Sequence, residues 1–449
     1  MICRFFVILM LLTGCAADAK QEEYTDVAYK PKVTEVVYES THTTGGVNIK
    51  STRDFNNDGI SDILITHQEG YKPYTLLRST SNGFVEETIQ DNRAFIRNIT
   101  VNDFDADGDL DIYAYVHDGN RENIFLRNSG KQLSIETLPS NTGSQFSHGG
   151  TNGDVDNDGD SDIFVANQNV NGEIGVPYFL INDGKGNFTT DTTKFNINLA
   201  DHGSVNDAGL YDYNNDNNID LVLLYGESKN VRIAWNDGTG KFTFNNSTHY
   251  EVNWPTQQDN ISTHVETNFD IVAATYTNLD YNDDGLMDIF VGRAISRQNG
   301  GWSATHIQVL ENKGNKVFDD VTETIIPVQS HIQDVTYDIG FPLNIDVADI
   351  NNDNKKDIVI ATNSKNDFIE NSPYSEYPYV FFQQDNNTFS PATKNEFNEF
   401  GKSFYLRVGD FNGDNKNDIV GVEYINNGDQ TFTSKVRIFF NNEKIRYLN

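Results

Sequence analysis

Cysteine is nearly absent. Cys3 and Cys15 are the only two, so no disulfide framework can support the chain beyond residue 15. Basic residues are scarce, with 33 Lys and Arg against 66 Asp and Glu and a net charge of −33. No basic stripe with interleaved aromatics occurs, so the electrostatic footprint of a nucleic-acid binder is missing. Only ten prolines stand among 449 residues, while aromatics make up 12%, which suits a large β-rich globular body. Beyond the first residues no apolar run is long enough to span a membrane as a helix. The sequence also lacks Gly-x-Ser-x-Gly, His-Glu-x-x-His and a phosphate-binding Gly loop, which removes several common catalytic chemistries.

What the chain has in abundance is one acidic nonapeptide. It reads DFNNDGISD, DFDADGDLD, DVDNDGDSD, DYNNDNNID, DYNDDGLMD, DINNDNKKD and DFNGDNKND, starting at Asp54, Asp103, Asp154, Asp212, Asp280, Asp349 and Asp410. Positions 1, 3, 5 and 9 are always Asp or Asn. Their side-chain oxygens are hard donors of the kind Ca²⁺ prefers. Position 6 is Gly or Asn, the residues that best tolerate a left-handed backbone. A single copy would also describe an ordinary Asn/Asp/Gly surface turn; seven copies in one register argue against that. An EF-hand needs a bidentate Glu at position 12 and flanking helices. Here position 12 is Ile65, Ala114, Val165, Leu223, Val291, Ile360 and Gly421, none of them a side-chain ligand.

Each nonapeptide runs into a short apolar segment, such as DILIT, DIFVAN or DIVIAT. These segments are β-branched or aromatic and apolar on both faces, as strands buried between neighbouring sheets are. Successive loops are 49, 51, 58, 68, 69 and 61 residues apart. That period, with several strands per unit, signals a propeller. Each unit supports four strands. VNIKSTR leads into the first loop, ILITH leaves it, and YTLLRST forms a hairpin with FVEETIQ. Related third-strand and turn segments recur as NIFLRNSG, PYFLINDGKGNF, VRIAWNDGTGKF, IQVLENKGNKVF, YVFFQQDNNTF and VRIFFNNE. The expected fold is all-β, a seven-bladed β-propeller of four-stranded blades spanning residues 33–449. Residues 33–40 read as a strand available to close the ring beside the last segment. The sequence leaves open how the two share the final blade.

The stretch Val408-Gly409-Asp410-Phe411-Asn412-Gly413-Asp414 resembles the core of the FG-GAP/VCBS repeat, the propeller type also found in integrin α subunits. The resemblance covers residues 47 to about 449. It implies that each acidic loop joins the first and second strands of a blade and holds Ca²⁺ through positions 1, 3, 5 and 9. The implied ligands are Asp54, Asn56, Asp58 and Asp62 in the first loop, and Asp103, Asp105, Asp107 and Asp111 in the second. The third and fourth loops offer Asp154, Asp156, Asp158 and Asp162, and Asp212, Asn214, Asp216 and Asp220. In the fifth they are Asp280, Asn282, Asp284 and Asp288. The last two loops contribute Asp349, Asn351, Asp353 and Asp357, and Asp410, Asn412, Asp414 and Asp418. Up to seven structural Ca²⁺ ions follow. The second and third loops, with four carboxylates each, are expected to bind tightest, and the fourth, sixth and seventh more weakly. Extracellular Ca²⁺ modules bind at roughly 10⁻⁴–10⁻³ M.

The N-terminus reads MICRFFVILMLLTGCAAD, with Arg4 before an apolar stretch from Phe5 to Leu12. That stretch is too short to span a membrane and has the length of a secretory signal core. Leu12-Thr13-Gly14-Cys15 resembles a bacterial lipobox. Residues 1–14 are then a signal peptide, Cys15 a lipidated anchor, and 15–32 a polar tether. An ordinary signal peptide with a chance cysteine is the alternative. Ala16 after Cys15 points to the outer membrane, on its periplasmic or cell-surface side, if the source is a diderm bacterium.

The acidic loops read as structural clips, so function is expected on the opposite face. The connections there are long around blades 4 to 6, at about 246–272, 295–305, 324–342 and 363–378. Loops on a rigid scaffold are the default carriers of function. Trp235 falls in a third-strand segment and is expected in the core. Trp254, Trp302, Tyr250, Tyr374 and Tyr377 are candidates for a carbohydrate platform, because exposed Trp and Tyr stack on sugar faces. His264, His331 and Arg297 join them as candidate ligand contacts, with His148, His202, His306 and Glu376 nearby. The same residues could equally pack the long loops onto the blades. Two functions remain open. One is a non-catalytic, surface-tethered propeller binding a glycan or an envelope or extracellular protein. The other is a polysaccharide-degrading enzyme of the lyase type, using His, Tyr or Arg on that face.

Overall fold

The computed structural model describes residues 33–43, 46–67, 73–90, 95–117, 121–136, 138, 146–167, 176–194, 205–226, 230–243, 249–251, 271–296, 302–327, 341–362, 376–393, 403–429 and 431–441. Among these residues the strands form seven antiparallel sheets. Blade 1 consists of Val47–Ser51, Ile63–His67, Tyr74–Thr80 and Gly83–Ile89. Blade 2 is Ile96–Asn102, Asp111–Val116, Ile124–Asn128 and Leu133–Glu136, and blade 3 is Ser147–Gly153, Asp162–Asn167, Tyr178–Asn182 and Phe188–Asp191. Blade 4 contains Val205–Tyr211, Asp220–Tyr225, Asn230–Asn236 and Phe242–Thr243, with His249–Glu251 as an added strand on Asn230–Asn236. Blades 5 and 6 are Ile271–Leu279, Asp288–Ser296, Trp302–Asn312 and Phe318–Asp320, then Pro342–Ala348, Asp357–Thr362, Glu376–Gln383 and Phe389–Thr393.

Blade 7 takes its strands from both ends of the described chain. Ser403–Gly409, Asp418–Asn426 and Phe432–Phe440 are followed outward by Val33–His42, which pairs antiparallel from Val33 opposite Phe440 to His42 opposite Phe432. The strand expected at 33–40 therefore closes the ring as the outermost strand of the last blade. The first strands of successive blades lie against one another all the way round, the seventh against the first included. They line the axis. Among the described residues no helix is long and apolar enough to cross a membrane.

The core is divided into seven layers, one between each pair of neighbouring blades. Between blades 2 and 3, for example, Phe104, Tyr113, Phe125, Ile163, Leu180 and Phe188 pack together. The layer between blades 7 and 1 joins Ile49, Ile63 and Tyr405 to Phe411, Val420 and Ile438. Each second strand is covered on both sides, which is why these segments show no polar alternation. Position 2 of every nonapeptide is buried: Phe55, Phe104, Val155, Tyr213, Tyr281, Ile350 and Phe411. Trp235 is buried as expected.

Every inner strand carries a bulge. The extra residue is Lys50 in blade 1, then Arg97, His148, Asn206, Ala274 and Leu343, and the pair Tyr405–Leu406 in blade 7. A bulge leaves one residue outside the ladder and re-aims its side chain. The inner strand of blade 3, SHGGTNG, has weak β propensity for a steric reason. A Cβ on Gly149 would stand 2.2 Å from the Asp207 carboxylate, which reaches across from blade 4.

Candidate metal centres and central channel

All seven acidic loops connect the first and second strands of their blades and share one hydrogen-bond plan. The position 1 carboxylate accepts from the amides of positions 5 and 6; in the third loop Asp158 N and Gly159 N donate to Asp154 at 3.1 and 3.0 Å. The position 5 carboxylate accepts from the amide of position 7, as Asp284 does from Leu286 at 2.8 Å. Position 6 is left-handed in every copy, including Asn217 (φ 66°), Asn354 (φ 68°) and Asn415 (φ 63°). Position 4 is left-handed too, an unanticipated second constraint. It is met by Asn57, Asn157, Asn215, Asp283, Asn352 and Gly413, but also by Ala106 at φ 60°.

Position 9 anchors the loop to the blade. Its carboxylate is fully buried in all seven copies. One oxygen accepts from the amide of position 2 and the other from an amide at the end of the third strand; for Asp220 the donors are Tyr213 (3.2 Å) and Asn236 (3.0 Å). Burial raises these carboxyls, and neighbouring acids add to the shift while the backbone amides oppose it. Asp162, Asp220, Asp288, Asp357 and Asp418 rise to about 7, and Asp62 and Asp111 to about 6.

The residue at the end of the third strand was overlooked by sequence reasoning. Its carboxamide nitrogen reaches the preceding blade. Asn128, Asn182, Asn236, Asn312, Gln383 and Asn441 each donate to the position 2 carbonyl of that blade, at 2.6–2.9 Å. The same carboxamide oxygen holds the following hairpin turn, as when Gly238 and Gly240 donate to Asn236. The signal was present: the third-strand segments end in Asn or Gln in six of seven units and in Ser79 in the first.

The donor set of the loops is entirely hard oxygen and fits a hard divalent cation. In the second and third loops, oxygens of Asp103, Asp105 and Asp111, and of Asp154, Asp156 and Asp162, lie within 4.8 Å of one another. Asp105 Oδ1 and Asp156 Oδ1 are buried without a hydrogen-bond partner. The other oxygen of each is paired with a base, Asp105 with Arg127 and Asp156 with Lys194, the latter at 2.9 Å. The fourth carboxylate of each loop is thus offset by a cation that the copies with Asn at position 3 do not need.

A cavity of about 560 Å³ occupies the half of the channel nearer the acidic loops. Amides and hydroxyls dominate its wall, among them Thr52, Asn98, Thr277, Asn278 and Asn344, together with Arg53, Asp207, Asp346 and Arg407. Arg407 Nε donates to Asp346 at 2.8 Å and its Nη1 to the Lys50 carbonyl at 2.7 Å. Lys50 Nζ donates to the Arg97 carbonyl at 2.8 Å. Burial, then Arg97 and Arg407, pull the Lys50 ammonium down to about 7. Burial raises Asp207 to about 7 against the hydrogen bonds from Ala208 and Gly150 and the field of Arg97.

At the end of the channel away from the acidic loops, Phe95, His117, Phe146 and His148 form one patch on blades 2 and 3. Ring centroids are 5.8 Å apart for Phe95 and His117, 4.0 Å for His117 and Phe146, and 4.4 Å for His117 and His148. His148 Nδ1 is 2.7 Å from Asn206 Oδ1, and its Nε2 is buried without a partner. Burial, then Arg97 and His117, holds His148 well below the usual imidazole range.

The expected platform is only partly visible. Trp254, His264, Arg297, His331 and Tyr374 lie outside the described residues, as does His202. Trp302, Tyr250 and Tyr377 belong to strands rather than loops, with Trp302 opposite Ser296, Tyr250 opposite Val231 and Tyr377 opposite Ala392. The 295–305 connection is correspondingly shorter than the sequence suggested. His306 sits inside blade 5, where burial and the neighbouring Arg293 press it down to about 3.

A family model described as FG-GAP-like repeat matches residues 54–114, 154–223, 280–360 and 349–421, together more than half of the chain. No curated protein sequence matches. Among solved structures the chain is similar to an Agrocybe aegerita lectin described as recognising non-reducing terminal N-acetylglucosamine. Identity is 19%, TM-score 0.49, and the match covers 88% of this chain and 94% of the lectin. It is similar in the same way to BBS1N in complex with ARL6DN, with 8% identity, TM-score 0.42 and coverage of 90% and 97%. YCF48 bound to D1 peptide shares 9% identity at TM-score 0.40, covering 91% and 96%. By its repeats, read in register with the seven acidic loops, this chain belongs to the FG-GAP-like repeat family.

Proposed function

We propose that the protein is a calcium-stabilised, non-catalytic propeller that binds a glycan on the face opposite the acidic loops. The observation that carries this reading is the Phe95–His117–Phe146–His148 patch. Aromatic and imidazole faces suit the apolar faces of sugar rings. The buried acceptor His148 Nε2 suits a sugar hydroxyl, since an unpaired buried polar atom gains most from a partner. The acidic loops serve the scaffold: their buried position 9 carboxylates are committed to backbone amides. Calcium would neutralise the loop carboxylates, bound through positions 1, 3, 5 and 9. Cys15 would carry a lipid and tether the propeller to an outer membrane through residues 15–32. The Leu-Thr-Gly-Cys motif supports that part of the reading.

A glycan array probed with calcium-loaded protein tests the function. Binding to a defined glycan subset, lost in a His117→Ala/Phe146→Ala variant with an unchanged melting curve, is expected. A blank array, with capture of a protein partner that needs the same two side chains, would replace the glycan by a protein ligand. Accumulation of unsaturated uronate absorbance with polysaccharide would overturn the non-catalytic reading.

A further inference from the structure

The central channel carries charged groups of both signs inside a strongly acidic protein. Two bases line its cavity, Arg407 on blade 7 and Arg53 on blade 1; Lys50 on blade 1 and Arg97 on blade 2 stand outside that lining, with Lys50 Nζ 6.0 Å from the Phe95 ring centre. Two acids face them, Asp346 and Asp207. Arg407 is committed to Asp346 at 2.8 Å. Arg97 feels Asp207 and lies 4.9 Å over the Phe341 ring. Lys50 makes its hydrogen bond to a carbonyl, not to an acid. Arg53 lines the cavity, is exposed to solvent, and pairs with no acid among the described residues. One positive charge, Arg53, is thus left without a carboxylate partner among the described residues beside a cavity of about 560 Å³, a size that falls among small-molecule sites.

The rest of the wall narrows the ligand. Asn98, Asn278, Asn344, Thr52 and Thr277 offer amides and hydroxyls, and Tyr276 is the one aromatic. Such a surface rewards a hydroxyl-rich molecule rather than an apolar one. A surplus cation at the rim rewards a single carboxylate, because charge-assisted hydrogen bonds to an arginine fork are the strong ones. We propose that the acidic-loop half of the central channel binds a small hydroxylated monocarboxylate of the sugar-acid class, with Arg53 receiving the carboxylate. This site is separate from the patch on the opposite face and does not depend on it.

The test is isothermal titration of the full, calcium-loaded protein with glucuronate and galacturonate, and with glucose as the uncharged control. The expected result is binding of at least one uronate, with glucose weaker by about tenfold or more. Arg53→Gln, at an exposed position, should weaken the uronate by about tenfold or more. Thr277→Phe, which fills the cavity, should abolish binding. His117→Ala should leave it unchanged. No heat with either uronate overturns the proposal, as does equal binding of glucose. Binding that survives Thr277→Phe puts the anion on the loop surface, and binding lost only in His117→Ala puts it on the opposite face; either result also overturns the channel site. Melting curves of each variant separate loss of binding from loss of fold.

Discussion

Six of the seven blade seams are fastened by one carboxamide, and the seam between blades 7 and 1 is fastened without it. At the six, an Asn or Gln at the end of the third strand donates to the previous blade's position 2 carbonyl. Blade 1 has Ser79 at that place, and its hydroxyl stays within its own loop, on Asp58 and Asp62. The seventh seam uses other groups. Ser61 N donates to the Asp410 carbonyl, Thr52 Oγ1 to that of Val408, Tyr424 Oη to that of Val47, and Arg407 to that of Lys50. The repeated seam is a local device that each repeat carries with it. The closing seam joins segments that no single repeat contains, and it spreads the same task over several positions and an outer strand.

The largest expected effect comes from breaking the closing seam. Removing residues 33–42 exposes the edge of Phe432–Phe440, and an unpaired edge invites association. The truncated chain should melt lower than any point variant below and elute as oligomers in size-exclusion chromatography; a monomer with an unchanged melting curve would show that closure needs no fourth strand. Next come the two kinds of staple. Asn236→Ala strands the Val155 carbonyl and two turn amides and should cost about 2–3 kcal/mol, whereas Ser79→Ala should cost about 1 kcal/mol. Urea denaturation of both variants measures the difference, and equal costs would mean that the carboxamide is no seam device.

Calcium should stabilise the fold by about 1.4 kcal/mol per site at a tenfold excess over Kd, read as a higher melting temperature. Its pH dependence has a definite sign. The position 9 carboxyls are raised to about 6–7 when folded, so without metal the folded protein holds more protons than the unfolded chain. That contribution is fully present below the unfolded value near 4 and is lost as pH rises through about 7. In EDTA the protein should therefore melt higher at pH 5.5 than at pH 7.5, and the calcium-induced gain should be larger at pH 7.5. A calcium effect independent of pH would remove the position 9 carboxyls from the account. The smallest effect concerns Ala106. Replacing it by Asn, the residue four other loops use at that left-handed position, should stabilise by about 0.5–1 kcal/mol in thermal melts.

Much of this fold was legible because its signals are local. The nonapeptide, the left-handed position 6 and the buried strand after it all lie within a dozen residues. The staple was visible as a recurring Asn but not as a contact, since Asn236 finds Val155 81 residues away. Position 4 escaped because Asn and Asp are unremarkable in an acidic loop until the backbone angle is known. The channel charges were illegible for a different reason. Lys50 and Arg97 sit in strands where alternation would assign their direction, and the bulges change it. The sequence directed attention to the long connections of blades 4 to 6, most of which fall outside the described residues. The aromatic patch lies instead on blades 2 and 3.

The pairing of Val33–His42 with Phe432–Phe440 also has a consequence in time. The strand synthesised before the first repeat has no partner until the last repeat is complete. Six blades can settle one against the next as they are made, each from contacts close in the chain. The final blade must wait, and the loop it closes spans nearly the whole polypeptide, so joining it carries the largest entropic cost of any step. Until then both strands are open edges on one molecule. The vulnerable interval in the life of this protein therefore ends only with the last repeat, and it is governed by how soon one strand finds the other before either finds a neighbour.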